Sequence, residues 1–148
     1  NYRHEQKNLP KRYQARAIAA SVGDVRVLNL YVPNGKAIGD FNITPADLDV
    51  HDPDAWRDKI LCSVPERQAL AAILALGYRD AYRNLHPDTV QYSWWDYRMG
   101  GLRRNIGMRI DLTLCSNNLA LHDASIDTAP RHWERPSDHA PAWVAVEA

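Results

Sequence analysis

Arg135-Pro136-Ser137-Asp138-His139-Ala140-Pro141 sets a carboxylate beside an imidazole in a segment too rich in proline to be helical. An adjacent Asp and His can serve two chemistries at once. The carboxylate can hold a hard cation, and the imidazole can hydrogen-bond or exchange a proton with an oxyanion near neutral pH. Taken alone, the pair also reads as a polar turn before a strand. Two further segments carry matching chemistry. One is Gly39-Asp40-Phe41-Asn42, preceded by Leu28-Asn29-Leu30-Tyr31-Val32-Pro33-Asn34-Gly35. The other is Arg109-Ile110-Asp111-Leu112-Thr113-Leu114-Cys115-Ser116, led by Asn105-Ile106-Gly107-Met108.

Outward from these segments, the pattern predicts several strands and one helix. Ala15 to Ala20 and Val25 to Val32 read as two strands joined at Gly23-Asp24. Pro45 to Pro53 is acidic and reads as loop. Ser63-Val64-Pro65-Glu66 reads as a helix start, with Pro65 near the first helical position and Glu66 suited to the N-terminal dipole. Ala69, Leu70, Ile73 and Leu74 then repeat at helical spacing, and Gly77 stops the helix. Tyr92 to Tyr97, Ile110 to Ser116 and Ala142 to Val146 read as further strands. The mixture predicts one α/β domain with a largely antiparallel sheet.

The chain of 148 residues is long enough for one domain with a real core. Its 18 basic and 18 acidic residues balance, so net charge gives no argument for a nucleic-acid partner. Arginines do cluster locally, at Arg98, Arg103, Arg104 and Arg109, and basic residues crowd Arg3, Lys7, Lys11 and Arg12. Cys62 and Cys115 lie in apolar contexts without metal-ligand spacing, which predicts buried free thiols in a reducing cytoplasm. No apolar run reaches membrane-spanning length and no signal peptide opens the chain. His4, His51, His86, His122 and His132 show no ligand spacing and are expected on surfaces or loops.

In order, Leu-Tyr-Val-Pro-Asn-Gly, Gly-Asp-Phe-Asn, Ser-Trp-Trp-Asp-Tyr-Arg, Arg-Ile-Asp and Ser-Asp-His-Ala-Pro make up five motifs. From about Gln14 to Val146 the chain resembles the exonuclease III branch of the endonuclease/exonuclease/phosphatase superfamily. The resemblance implies an α/β/β/α four-layer sandwich. It also leads us to expect an incomplete one. The Asn and Gln-Glu strands that open such proteins have no match. Only Lys36-Ala37-Ile38 stands where relatives carry a helix and a strand, and parallel neighbours need a crossover of about a dozen residues or more. Residues 1–148 are therefore expected to form a single partial domain, with 1–13 an arm or loop fragment and a segment missing near 36–38.

The resemblance also implies roles. Asp40 would orient or deprotonate the attacking water, and Asn42 would hold a phosphate oxygen and that water. Tyr31 would stand on the phosphate or leaving-group side, where a phenol donates to a developing oxyanion. His139 would face the scissile phosphate with Asp111 holding its other ring nitrogen, although Asp111 could instead pair with Arg109. Asp138 would bind or orient near Mg²⁺, with Mn²⁺ as the alternative ion. Trp94 would wall a pocket for an extrahelical abasic sugar, with Trp95 supporting it. Adjacent residues on a strand face opposite ways, so at most one of the two tryptophans would be core. Arg98 and Asn105 would contact phosphate, and Met108 falls where some relatives have a further aromatic wall.

The function implied is Mg²⁺-dependent phosphodiester hydrolysis in DNA repair, as an abasic-site endonuclease and 3′-5′ exodeoxyribonuclease. The partner would be double-stranded DNA with abasic sites or 3′ ends. The protein would be a cytoplasmic monomer in a bacterium, at the nucleoid when acting on DNA, and not at a membrane. The alternatives are a phosphomonoesterase of the same superfamily and a catalytically dead DNA-binding or structural remnant.

Overall fold

Short-range chemistry fixes where the helices begin. The computed structural model describes residues 17–22 and 25–30 as backbone, and residues 41–146 in full. Asp52 caps α1 (Pro53–Trp56) by accepting the Ala55 N–H at 2.9 Å, and Pro53 supplies a preset φ at its first position. Helix α2 (Val64–Leu74) starts as the sequence predicts. The Ser63 N–H and hydroxyl donate to one Glu66 carboxylate oxygen at 3.0 and 2.6 Å, and the Leu61 N–H donates to the other at 3.2 Å. The helix ends three residues before Gly77, whose φ of +99° takes the chain into β3 (Tyr78–Asp80). Asp80 then caps α3 (Ala81–Leu85) through the Arg83 N–H at 3.2 Å.

Strands β1 (Ala17–Val22) and β2 (Val25–Leu30) form the expected antiparallel hairpin. β2 meets β4 (Leu114–Ser116) at Leu28 opposite Leu114, and β4 pairs along its length with β3. The sheet order is β1-β2-β4-β3, with every pairing antiparallel. A second pair, β5 (Leu121–Ile126) and β6 (Ala142–Val146), is also antiparallel, with a register shift at Leu121/Asp123. Phe41, Leu70 and Leu114 join α2 to the first sheet. A larger cluster of Tyr82, Tyr92, Trp95, Cys115, Ile126 and Ala140 fills the space among α3, β4, β5 and β6. No helix of the described residues is long and apolar enough to cross a membrane.

Three elements differ from expectation. Pro45–Pro53 is not plain loop: Asp47–Asp49 is a 3₁₀ turn, and Asp49 is fully buried rather than solvated. Tyr92 to Tyr97 is not a regular strand, since only Trp94 makes bridge pairings, to Met108 on one side and His139 on the other. Of Ile110 to Ser116, only Leu114–Ser116 is regular. The cause at Ile110 and Asp111 is a side chain. Both of their N–H groups donate to the Ser93 hydroxyl at 3.0 Å each, which takes from strand pairing two successive amides that would otherwise point to opposite edges. The two cysteines are free and buried as predicted. Burial pushes both thiols up from their ordinary pKa.

Candidate active site

Three chain segments meet at Trp94. Its N–H donates to the Met108 carbonyl at 2.9 Å, and the Met108 N–H returns a bond to the Trp94 carbonyl at 3.0 Å. On the other side, the Trp95 N–H donates to the Asp138 carbonyl at 3.1 Å, and the Ala140 N–H to the Ser93 carbonyl at 2.7 Å. These bonds lay the Ser-Trp-Trp segment between Met108–Asp111 and Asp138–Ala140. They bring together Trp94, Asp111, Asp138 and His139, which sequence places far apart.

His139 and Asp111 pair as expected. The His139 Nδ1 lies 3.0 and 2.9 Å from the two Asp111 carboxylate oxygens. A carboxylate only accepts, so Nδ1 carries the proton in this contact. Both side chains are about three-tenths exposed, 31% for His139 and 27% for Asp111, so the pair is reachable from solvent. Arg109 does not compete for Asp111. It is fully buried and its guanidinium contacts Asp49 through Nε at 2.6 Å and Nη2 at 3.2 Å. Its Nη1 lies 2.7 Å from Asp80, close enough for an ion pair, though not aligned as a hydrogen bond. Burial disfavours the Arg109 charge, but Asp80 and Asp49 outweigh that and hold its pKa above the ordinary value. Arg83 closes the cluster at 2.6 Å from Asp49. The sequence reading missed this two-Asp, two-Arg knot. Its signal was the acidic stretch at 47–54 facing an arginine in an apolar run.

Asp138 is the predicted metal ligand. Its Oδ2 accepts from the Trp94 Nε1 at 3.1 Å, a link that sequence did not reveal. Among the described residues, no group of three or more His, Cys, Asp or Glu gathers as a metal ion would need. The described side chains alone therefore do not fit a complete cation site.

The aromatic pair divides its work. Trp95 is core, 2% exposed, with its Nε1 donating to the Asn105 Oδ1 at 3.1 Å. The backbone runs close beneath it: a side chain at Gly107 would come within 2.5 Å of that indole nitrogen. Trp94 is half-buried beside Met108 and Ile110. Met108 is fully buried in that cluster with Val50, Cys62 and Ile110, so it is not a pocket wall. An apolar thioether suits such a gap. Arg98 is exposed and bound to the neighbouring Asp96, which lowers the Asp96 pKa. Asn105 is exposed and lies in the left-handed region, at φ 51°. Its amide oxygen serves Trp95, which leaves the NH₂ end as its possible phosphate donor. Asn42 is half-buried with φ 39°. Tyr31, Asp40 and the 36–38 segment lie outside the described residues.

Of the remaining histidines, His122 and His132 are exposed, whereas His51 and His86 bond to the backbone. His51 Nδ1 meets the Gly107 carbonyl at 3.1 Å and His86 Nε2 the Ala124 carbonyl at 2.9 Å.

Known proteins resemble this chain in sequence and fold. The exodeoxyribonuclease III of Haemophilus influenzae is 41% identical over 116 residues, 72% of this chain and 43% of that protein. The 3′-5′ exonuclease of Neisseria meningitidis superposes with a TM-score of 0.83 at 38% identity, over 90% of this chain and 65% of that one. An AP endonuclease from Archaeoglobus fulgidus gives 0.81 at 30% identity, with the same coverage of 90% and 65%. The chain thus spans under half the length of its curated relative and about two thirds of its structural neighbours. The model of the Endonuclease/Exonuclease/phosphatase family matches residues 7–139. With that match over most of its length, and with an α/β fold shared with nucleases at this level of identity, the chain belongs to the endonuclease/exonuclease/phosphatase family.

Proposed function

We propose that this chain carries the phosphodiester-cleaving centre of a DNA-repair nuclease. It cuts double-stranded DNA at abasic sites and removes nucleotides from 3′ ends. The observation that carries the reading is the His139–Asp111 pair, with Nδ1 at 2.9 and 3.0 Å from the two carboxylate oxygens. Asp111 holds the ring in one tautomer and orientation and stabilises it when charged, and His139 Nε2 meets the phosphate. Trp94 borders the same centre and offers a face for an extruded sugar or base. The relatives' names, exodeoxyribonuclease III and AP endonuclease, support DNA as the substrate. Asp40 acts on the attacking water, with Asn42 beside it, and Tyr31 serves the leaving side. Asp138 lends one carboxylate toward Mg²⁺, or Mn²⁺ in its place. The domain is part of a four-layer α/β/β/α sandwich.

The test is cleavage of a duplex oligonucleotide with one abasic site by the full-length protein. His139→Ala and Asp111→Asn should each lower the rate by about 10²–10⁴-fold while melting stays cooperative. Near-full activity in either variant would overturn the assignment. Hydrolysis of free inositol phosphates without cleavage of abasic DNA would select the phosphomonoesterase reading instead.

A further inference from the structure

Ser93 is fully buried, yet it is polar and bonded on three sides. Its hydroxyl oxygen accepts from Ile110 N–H and Asp111 N–H, both at 3.0 Å. Its carbonyl accepts from Ala140 N–H at 2.7 Å, and its own N–H donates to the Met108 carbonyl at 3.0 Å. One residue therefore fixes the backbone beside both members of the carboxylate–imidazole pair. Asp111 is bonded to it directly, and His139 directly precedes Ala140. Two lone pairs on one hydroxyl can take two N–H groups. Drawing consecutive amides to one oxygen takes both from strand pairing at Ile110–Asp111. That hold is local to the segment carrying the Asp111 carboxylate toward His139.

We propose that Ser93 is a positioning residue for the Asp111–His139 pair. Its hydroxyl pins the backbone that presents Asp111, and its carbonyl anchors the segment that presents His139. An alanine here would leave two buried amides unsatisfied. The Asp111 carboxylate would then drift from Nδ1. The catalytic part of this inference rests on the nuclease reading; the geometric part does not.

Two measurements on the full-length protein decide it. The first needs no activity. In ¹⁵N-labelled protein, the His139 Nδ1–H signal, assigned by its loss in His139→Ala, reports the bond to Asp111. In Ser93→Ala its solvent exchange should quicken by about tenfold or more, because a displaced acceptor no longer shields the proton. The Trp95 Nε1–H, bonded to Asn105, should exchange as before and so excludes general loosening. Unchanged exchange at His139, or equal quickening at Trp95, overturns the proposal. The second is a double-mutant cycle on abasic-site cleavage. Ser93→Ala should lower kcat about tenfold to a hundredfold with KM unchanged. It should add nothing further in the Asp111→Asn background, because both changes act through one carboxylate. Fully additive losses overturn the positioning role. If the wild-type protein leaves abasic DNA uncut, the nuclease reading fails, and the exchange measurement still decides the role of Ser93. Should Ser93→Ala not fold cooperatively, Ser93→Cys, of similar volume but with a weak acceptor, takes its place in both measurements.

Discussion

At a single side chain, Trp94 ties recognition to chemistry. Its indole nitrogen donates to Asp138 while its ring packs beside Met108 and Ile110. On the proposed reading it contacts an extruded sugar, whereas His139 acts on phosphate. Trp94→Ala should therefore slow abasic-site cleavage far more than release of an ordinary 3′ nucleotide. The difference should be about tenfold to a hundredfold, matching a stacking loss of about 1–3 kcal/mol. Parallel melting curves are needed, because large aromatic truncations in a core cost about 3–5 kcal/mol. Equal loss of both activities together with a steep fall in melting temperature would make Trp94 a packing residue only. The pairing of Asp111 with His139 was legible in the sequence because both belong to recognisable motifs. The Trp94–Asp138 bond was not, since it depends on which strands lie side by side. Met108 was misread for a related reason: the motif gives its position in the chain, but packing decides whether that position is a wall or a core.

Among elements, the knot of Asp49, Asp80, Arg83 and Arg109 joins the 3₁₀ turn, the start of α3 and the segment leading to Asp111. The two Asp and two Arg charges cancel, which is what permits burial. Removing one member leaves the others uncompensated. Asp49→Asn should lower unfolding free energy by about 3 kcal/mol or more, read as a shifted urea midpoint at constant m-value. The comparison is Asp54→Asn, whose partner Arg57 lies with it in solvent at 87% and 67% side-chain exposure. That change should not move the midpoint measurably. A negligible effect of Asp49→Asn would mean that water reaches the knot. The start of α2 was readable from Ser63, Pro65 and Glu66 because capping is local chemistry. β3 was not, since three residues show no period, and the bulge at Leu121/Asp123 breaks the alternation that would have marked β5. Tyr92–Tyr97 and Ile110–Thr113 look pleated by composition, but the Ser93 hydroxyl takes amide protons that a regular strand would pair elsewhere.

Over the whole molecule, the α/β class followed from the mixture of strand and helix patterns. The sheet order did not, because β2 and β4 meet from distant parts of the chain. Cys62 and Cys115 offer a probe of global opening. Both are buried, at 5% and 2% exposure, and burial raises both thiol pKa values. In the unfolded chain a thiol ionises near pH 8.5, below its value in the fold. The unfolded state then holds fewer protons, so these groups erode stability as pH rises above that point and leave it untouched below. At pH 8 the native protein should react slowly with a disulfide reagent, and both thiols should react promptly in urea. Fast labelling of either one without denaturant would mean that its pocket opens on its own. The central knot bears on a different variable, ionic strength. Mobile ions screen charges in solvent, over about 8 Å in physiological salt, but reach buried pairs poorly. Arg109 and Asp49 are fully buried, while Arg98, Arg103 and Arg104 stand in solvent. Added salt thus falls on the exposed arginines and spares those that hold the framework, so on the proposed reading any association with a polyanion would weaken with salt while the scaffold stays unchanged.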